Sequence, residues 1–192
     1  MIPKAGTRLA TLILAAALGG AGSWILFSRY LHLRIQMGLT TLDTFCPAEY
    51  QVTVFPAFFA FTTALALDAV AHLRRNESLR PLAPRALLIL ATGLLSCIRL
   101  LGFLPLSGHA LFLSAALVYT LRVRRDLLVV PLAAIGLAVV TWYKLAVFAD
   151  AGWLLASLAA GSLIGFMACS RAGALSSLSP PRPPPAPTST VS

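Results

Sequence analysis

Arg99, Ser107, Gly108, His109, Lys144 and Asp150 stand in or beside apolar runs in the second half of the chain. Ionisable groups in such runs are costly and commonly mark function. Together they suit an anionic head group. Arg99 can fork onto phosphate oxygens, and Lys144 can add a point charge. The backbone N–H groups of Gly108 and His109, at a predicted helix start, point at an anion and add the positive end of the helix dipole. His109 titrates near neutral pH as a type and can protonate a leaving oxygen. Asp150 can orient a histidine or hold a cation.

These residues need a scaffold, and the composition says which kind. Of 192 residues, 58% are hydrophobic and only 11% charged, where a soluble domain carries roughly a quarter charged. Mean hydropathy is +0.85. A bilayer span takes about 20 apolar residues, so the expected fold is all-α: a polytopic membrane protein with six helices, over about 7–27, 52–73, 85–104, 108–121, 127–148 and 153–170. An uncleaved first helix is expected, with a signal peptide as the alternative. Ser28 to Leu39, with Leu31, Ile35 and Leu39 between Arg29, His32 and Arg34, suits a short interfacial helix. Residues 42–47 read as a turn. Pro56 fits a first helical turn. Asp68, near His72 and Arg75, reads as a local ion pair at the interface. Ala156, Ala159, Ala160 and Gly161 suit close helix packing. The Pro-rich segment 171–192 should be disordered.

The net charge of +9 does not indicate a nucleic-acid partner, because Lys and Arg lie in short loops between apolar runs, where they set orientation. With alternating spans, Lys4, Arg8, Arg74, Arg75, Arg80, Arg85, Arg122, Arg124, Arg125, Arg171 and Arg182 fall on one side, and only Arg29 and Arg34 on the other. Both termini are then cytoplasmic, and Arg99, Ser107, His109, Lys144 and Asp150 reach the outer face. Cys46, Cys97 and Cys169 lack metal-type spacing; Cys97 and Cys169 read as packing residues, and Cys46 as a loop residue. No metal and no cofactor is implied. The expected partner is the lipid bilayer.

The stretch LPLSGHALFLSAALVYTLR resembles the second signature of the type 2 phosphatidic acid phosphatase superfamily, the membrane lipid-phosphate phosphatases. That signature is Pro-Ser-Gly-His opening a helix; here Pro105 stands one residue further away. About thirty residues on, Val139 to Gly161 occupies the place of the third signature. The resemblance implies a six-span fold with an outward site, phosphate held by Ser107 and Gly108, His109 as general acid, and Asp150 as the family's orienting Asp. The chain departs from the family at the nucleophilic His, where it offers Ala146, Val147 or Phe148, and at the Ser-Arg pair, replaced near Val140-Thr141. Arg99 and Lys144 then stand in as cations. The function and partner the resemblance implies are binding of a lipid phosphate or diphosphate, an isoprenoid or glycerolipid phosphate, with hydrolysis requiring another nucleophile or direct attack by water. The alternative is a structural or lipid-binding protein with a vestigial pocket. A weaker similarity, on Cys46, Arg99 and His109, is to exosortase-like transpeptidases. The expected setting is a bacterial cytoplasmic membrane.

Overall fold

The computed structural model describes residues 5–38, 48–100, 106–123, 126–146 and 151–177, with side chains at 6–38, 53–97, 106–123, 126–146 and 151–170. Among them the chain forms six α-helices and no strand: α1 Ala5–Gln36, α2 Ala48–Arg74, α3 Ala83–Leu100, α4 Gly108–Val123, α5 Val129–Ala146 and α6 Ala151–Ser177, with a 3₁₀ turn at Arg80–Leu82. Four stretches are long and apolar enough to cross a membrane: Gly6–Gln36, Thr53–Arg74, Val129–Ala146 and Ala151–Ser170. The chain is therefore an integral membrane protein of helical type. Consistent with a lipid-facing exterior, Leu14, Leu18 and Leu26 of α1, Leu90 and Leu94 of α3, and Leu155 and Leu163 of α6 are exposed.

α4 is the axis of the bundle. From Ala110 to Ala116, and again at Tyr119 and Thr120, every side chain is buried. A helix apolar on all sides must be surrounded, and α4 packs against α3, α5 and α6, with α2 also touching it. Lipid tails are as apolar as leucine, so close backbone approach replaces hydrophobic burial as the force between membrane helices. α6 supplies it with Gly161 and Gly165. A Cβ on Gly161 would overlap the Leu111 carbonyl and Ser114 Oγ; one on Gly165 would lie 2.5 Å from the Ala115 carbonyl oxygen. The expected stripe is thus displaced: Ala156 and Ala159 are exposed, while Ser157, Gly161, Gly165 and Ala168 face inward. Buried hydroxyls are satisfied along their own helices, Ser114 donating to the Ala110 carbonyl at 2.7 Å and Thr92 to that of Leu88 at 2.9 Å.

Several helix limits differ from expectation. The polar segment after residue 27 is no separate interfacial helix; α1 runs unbroken for 32 residues to Gln36. Leu, Arg, Gln and Met favour helix, and neither Gly nor Pro occurs between Ser23 and Gln36 to break it. α1 ends at Gly38, whose φ of +66° suits a residue without Cβ. Pro56 lies well inside α2 and not in its first turn. Such a proline removes one helical hydrogen bond, which membrane helices tolerate where neighbouring groups compensate. α2 closes at Asn76, φ +54°, with Glu77 N–H donating to the His72 carbonyl and Asn76 N–H to that of Leu73, a Schellman cap. α6 extends to Ser177, so the start of the expected disordered tail is helical. Cys97 is exposed and does not serve as a packing residue; Cys169 is half-buried, its Sγ 3.8 Å from the Tyr119 carbonyl oxygen. The turn over 42–47 with Cys46, Pro105, Asp150 and the tail beyond 177 lie outside the described residues.

Candidate functional site

Ser107 starts α4. Its carbonyl accepts from Leu111 N–H at 2.9 Å and its hydroxyl accepts from Ala110 N–H at 3.4 Å, so it is the N-cap. Its own N–H donates to Ser157 Oγ of α6 at 2.8 Å. Ser157 in turn donates to the Trp153 carbonyl at 2.6 Å. Ser107 is 2% exposed. These bonds pin the start of α4 against the start of α6 and leave Ser107 a structural cap behind the site.

Gly108 and His109, next in sequence, face a cavity of about 390 Å³ bounded by α2, α3 and α4. That volume lies within the usual range for small-molecule sites, roughly 300–1,000 Å³. Phe55 and Phe58 of α2 and Phe112 of α4 form its apolar wall; Thr92, Gly93 and Ser96 line it from α3. Phe58 meets Phe112 edge-on with centroids 5.2 Å apart, and Phe55 meets the His109 ring edge-on at 6.4 Å. Gly108 permits the close approach of α3, since a Cβ there would lie 2.5 Å from Ser96 Oγ. Gly93 is exposed, with no atom within 4 Å of a Cβ position, so the cavity opens sideways along α3. The Ser96 and Thr92 hydroxyls donate to carbonyls of their own helix, at 2.7 and 2.9 Å.

The remaining candidates are placed by register. Leu113 of α4 meets Gly136 of α5, two helices joined by a short turn and therefore antiparallel. Lys144, eight residues beyond Gly136, and His109, four before Leu113, consequently lie toward the same end of the bundle. Lys144 is 7% exposed and is not among the residues lining the His109 cavity. Arg99 is in the last turn of α3, three residues past Ser96, with its side chain outside the described set. Asp150 is likewise outside it. The structure thus brings Gly108 and His109 together at one cavity, sets Ser107 behind them, and puts the Lys144 and Arg99 backbones at the same end.

At the opposite end lies a cluster the sequence did not announce. The Asp68 carboxylate, expected to pair locally, reaches across to other helices. It is 4% exposed in its side chain and accepts from Arg8 Nη1 at 2.7 Å and from Arg85 Nη1 at 3.2 Å. Asp126, φ +55°, accepts from Arg8 Nε at 2.8 Å and from Arg85 Nη2 at 3.3 Å. Arg85 is clasped between Phe61 and Tyr119, its guanidinium carbon 5.5 and 5.6 Å from the two ring centroids. His72 and Arg75 turn instead to Glu77, at 3.2 and 3.7 Å. The reason is reach: a guanidinium fork from another helix can take two carboxylates at once, and Asp68 points inward. A sequence signal existed, since only six acidic residues occur in the chain and Asp68 and Asp126 both sit beside basic loops of one side.

No family model matches the chain, and neither a curated protein nor a solved structure does. Fold and site define its class as a helical integral membrane protein with an apolar, laterally open cavity at one end and a buried ionic ring at the other.

Proposed function

We propose that the chain binds a lipid phosphate or diphosphate, with the head group at the start of α4 and the lipid chain along Phe55, Phe58 and Phe112. The observation that carries this reading is the cavity itself. Its wall is aromatic, and its polar corner is a helix N-terminus bearing Gly108 and His109. Orphan N–H groups and the positive dipole end at such a position attract anions. Lys144 and Arg99 lie toward the same end of the bundle and are the cations the sequence offers for such a head group. The resemblance of residues 104–122 to the second lipid-phosphate phosphatase signature points to the same ligand.

Binding is proposed in preference to turnover. His109 has the chemistry of a general acid, but a phosphoryl transfer also needs a nucleophile, and the family's nucleophilic His is replaced here by Ala146, Val147 or Phe148. In this reading all six helices cross the bilayer, and given six alternating spans the loop arginines set both termini cytoplasmic and the cavity at the outer leaflet.

The test is direct. Purified protein in nanodiscs is offered polyprenyl diphosphate, phosphatidate and phosphatidylglycerol phosphate, and both binding and free phosphate are measured. Saturable binding without phosphate release supports the proposal. Phosphate release abolished by His109→Ala would replace it with an enzyme, and absence of binding to all three would leave an apolar pocket unrelated to phosphate.

A further inference from the structure

α1 is peripheral. It packs chiefly on α2, through Leu12, Ala16 and Gly19. The space of a Gly19 side chain is filled by the ring of Phe59. Phe59 leans on Phe55 at 6.3 Å and stands edge-on to Phe58 at 5.8 Å. Those two rings are the α2 wall of the His109 cavity. The seat of α1 is therefore one aromatic layer from the cavity.

The other end of α1 reaches the ionic ring. Asp68 lies on α2, Arg85 on α3, and Asp126 in the turn before α5. These three belong to the body of the bundle. Arg8 alone comes from α1, and it is the most exposed of the four side chains, at 22% against 4–5% for the others. Its Nη1 takes Asp68 Oδ1, while Nε and Nη2 both take Asp126 Oδ1 at 2.8 and 2.7 Å. Arg85 holds the two Oδ2 atoms from behind. Arg8 bridges the two carboxylates from the α1 side. Withdrawing it takes a cation away from two desolvated carboxylates, which low-polarity surroundings disfavour.

We propose that Arg8 is the tongue of an electrostatic latch that seats α1 on the bundle, and that its withdrawal lets α1 part from Phe59 and widens the His109 cavity. The latch does not rest on the lipid-phosphate reading; only the identity of what enters the widened cavity does. Two positions of α1 form a two-state element, and Arg8 biases it toward the seated state. The body offers a socket whose shape fits a planar cation: two Oδ1 oxygens on one side, with Arg85 fixed beyond them.

The experiment is a spin-label distance measurement on lipid-free protein in detergent, with Cys46, Cys97 and Cys169 replaced. One label pair is at the exposed positions Leu14 of α1 and Val70 of α2; a control pair is at exposed Leu121 of α4 and Leu163 of α6. The unsubstituted Arg8 protein should give one narrow α1–α2 distance. Arg8→Ala should add a second population, longer by about 5 Å, the scale of a one-turn helix displacement. Arg8→Lys, which keeps the charge but cannot fork across both carboxylates, should add the same population in smaller amount. Methylguanidinium at millimolar concentration should return Arg8→Ala to the single distance, whereas neutral methylurea should not. The control pair should stay fixed throughout. An unchanged α1–α2 distance in both variants overturns the proposal. So does an equal shift of the control pair, which means general loosening, or equal action of methylurea. Should Arg8→Ala fail to fold, Arg8→Lys alone decides.

Discussion

Arg85→Met is the sharpest perturbation of this structure. Methionine keeps much of the apolar volume between Phe61 and Tyr119 while removing the guanidinium that holds Asp68 and Asp126 at 3.2 and 3.3 Å. The variant leaves two carboxylates, each about 4–5% exposed, without the guanidinium that holds both Oδ2 atoms. Breaking a buried pair by deleting one partner costs about 3–5 kcal/mol, because the surviving charge is uncompensated. At 1.4 kcal/mol per decade this is on the order of a 10²- to 10⁴-fold loss in the folding equilibrium. Loss of the two ring contacts adds to it, at up to about 2 kcal/mol each for a desolvated guanidinium. Glu77→Gln is the internal control. It breaks pairs to His72 and Arg75 in which the Glu77 side chain is 45% exposed, and exposed pairs are worth about 0–1 kcal/mol. Reversible unfolding by dodecyl sulfate in mixed micelles measures both. Adding Asp126→Asn to Arg85→Met restores charge balance to the ring, so the double variant should cost clearly less than the sum of the two single changes. The reasoning is refuted if Arg85→Met falls within about 1 kcal/mol of Glu77→Gln, a cost no larger than that of an exposed pair, or if the double variant is additive.

Three further outcomes are expected. Gly161→Leu should push α6 off α4, since its side chain meets the Leu111 carbonyl and not a movable side-chain tip; the cost should reach or exceed about 3 kcal/mol, read as a lowered thermal transition, whereas Gly6→Ala, with open space around it, should leave the transition in place. Gly108→Ala should weaken lipid-phosphate binding by displacing α3 at Ser96, and Ser96→Ala in the same chain should restore part of it, because the 2.5 Å approach is to Ser96 Oγ while the Ser96 Cβ stays at 3.0 Å; a titration of lipid phosphate against the single and double variants checks this. Ser157→Ala should leave the buried Ser107 N–H without its 2.8 Å acceptor and cost about 1–3 kcal/mol, measured by the same micelle unfolding.

The sequence spoke clearly wherever lipid was the neighbour. Apolar length located the helices, and Ser107-Gly108-His109 marked the start of α4 because a Ser N-cap followed by an apolar run is a local signal. It was silent where the neighbour was another helix. Nothing local to Asp68 says that its partners are Arg8, sixty residues earlier, and Arg85; the i,i+4 partner His72 was the nearer candidate and turned to Glu77 instead. The small-residue stripe on α6 was legible as a stripe, yet its facing depended on where α4 lay, so Ala156 and Ala159 went to the exterior and Gly161 and Gly165 to α4. Arg85 had the address of an orientation charge and the environment of a buried one, because Phe61 and Tyr119 come from α2 and α4. The cavity was half legible. His109 and Gly108 announced it, while its aromatic wall on α2 emerged only from packing.

The most direct measurement is the preference for phosphate over a neutral head group on the same lipid chain. Native mass spectrometry of the purified protein, titrated with a prenyl phosphate and the matching prenol, reads it in one experiment. The account predicts that the phosphate binds at least tenfold more tightly and that His109→Ala lowers this ratio while the folded protein persists. Equal binding of phosphate and alcohol, or a ratio untouched by His109→Ala, would contradict it.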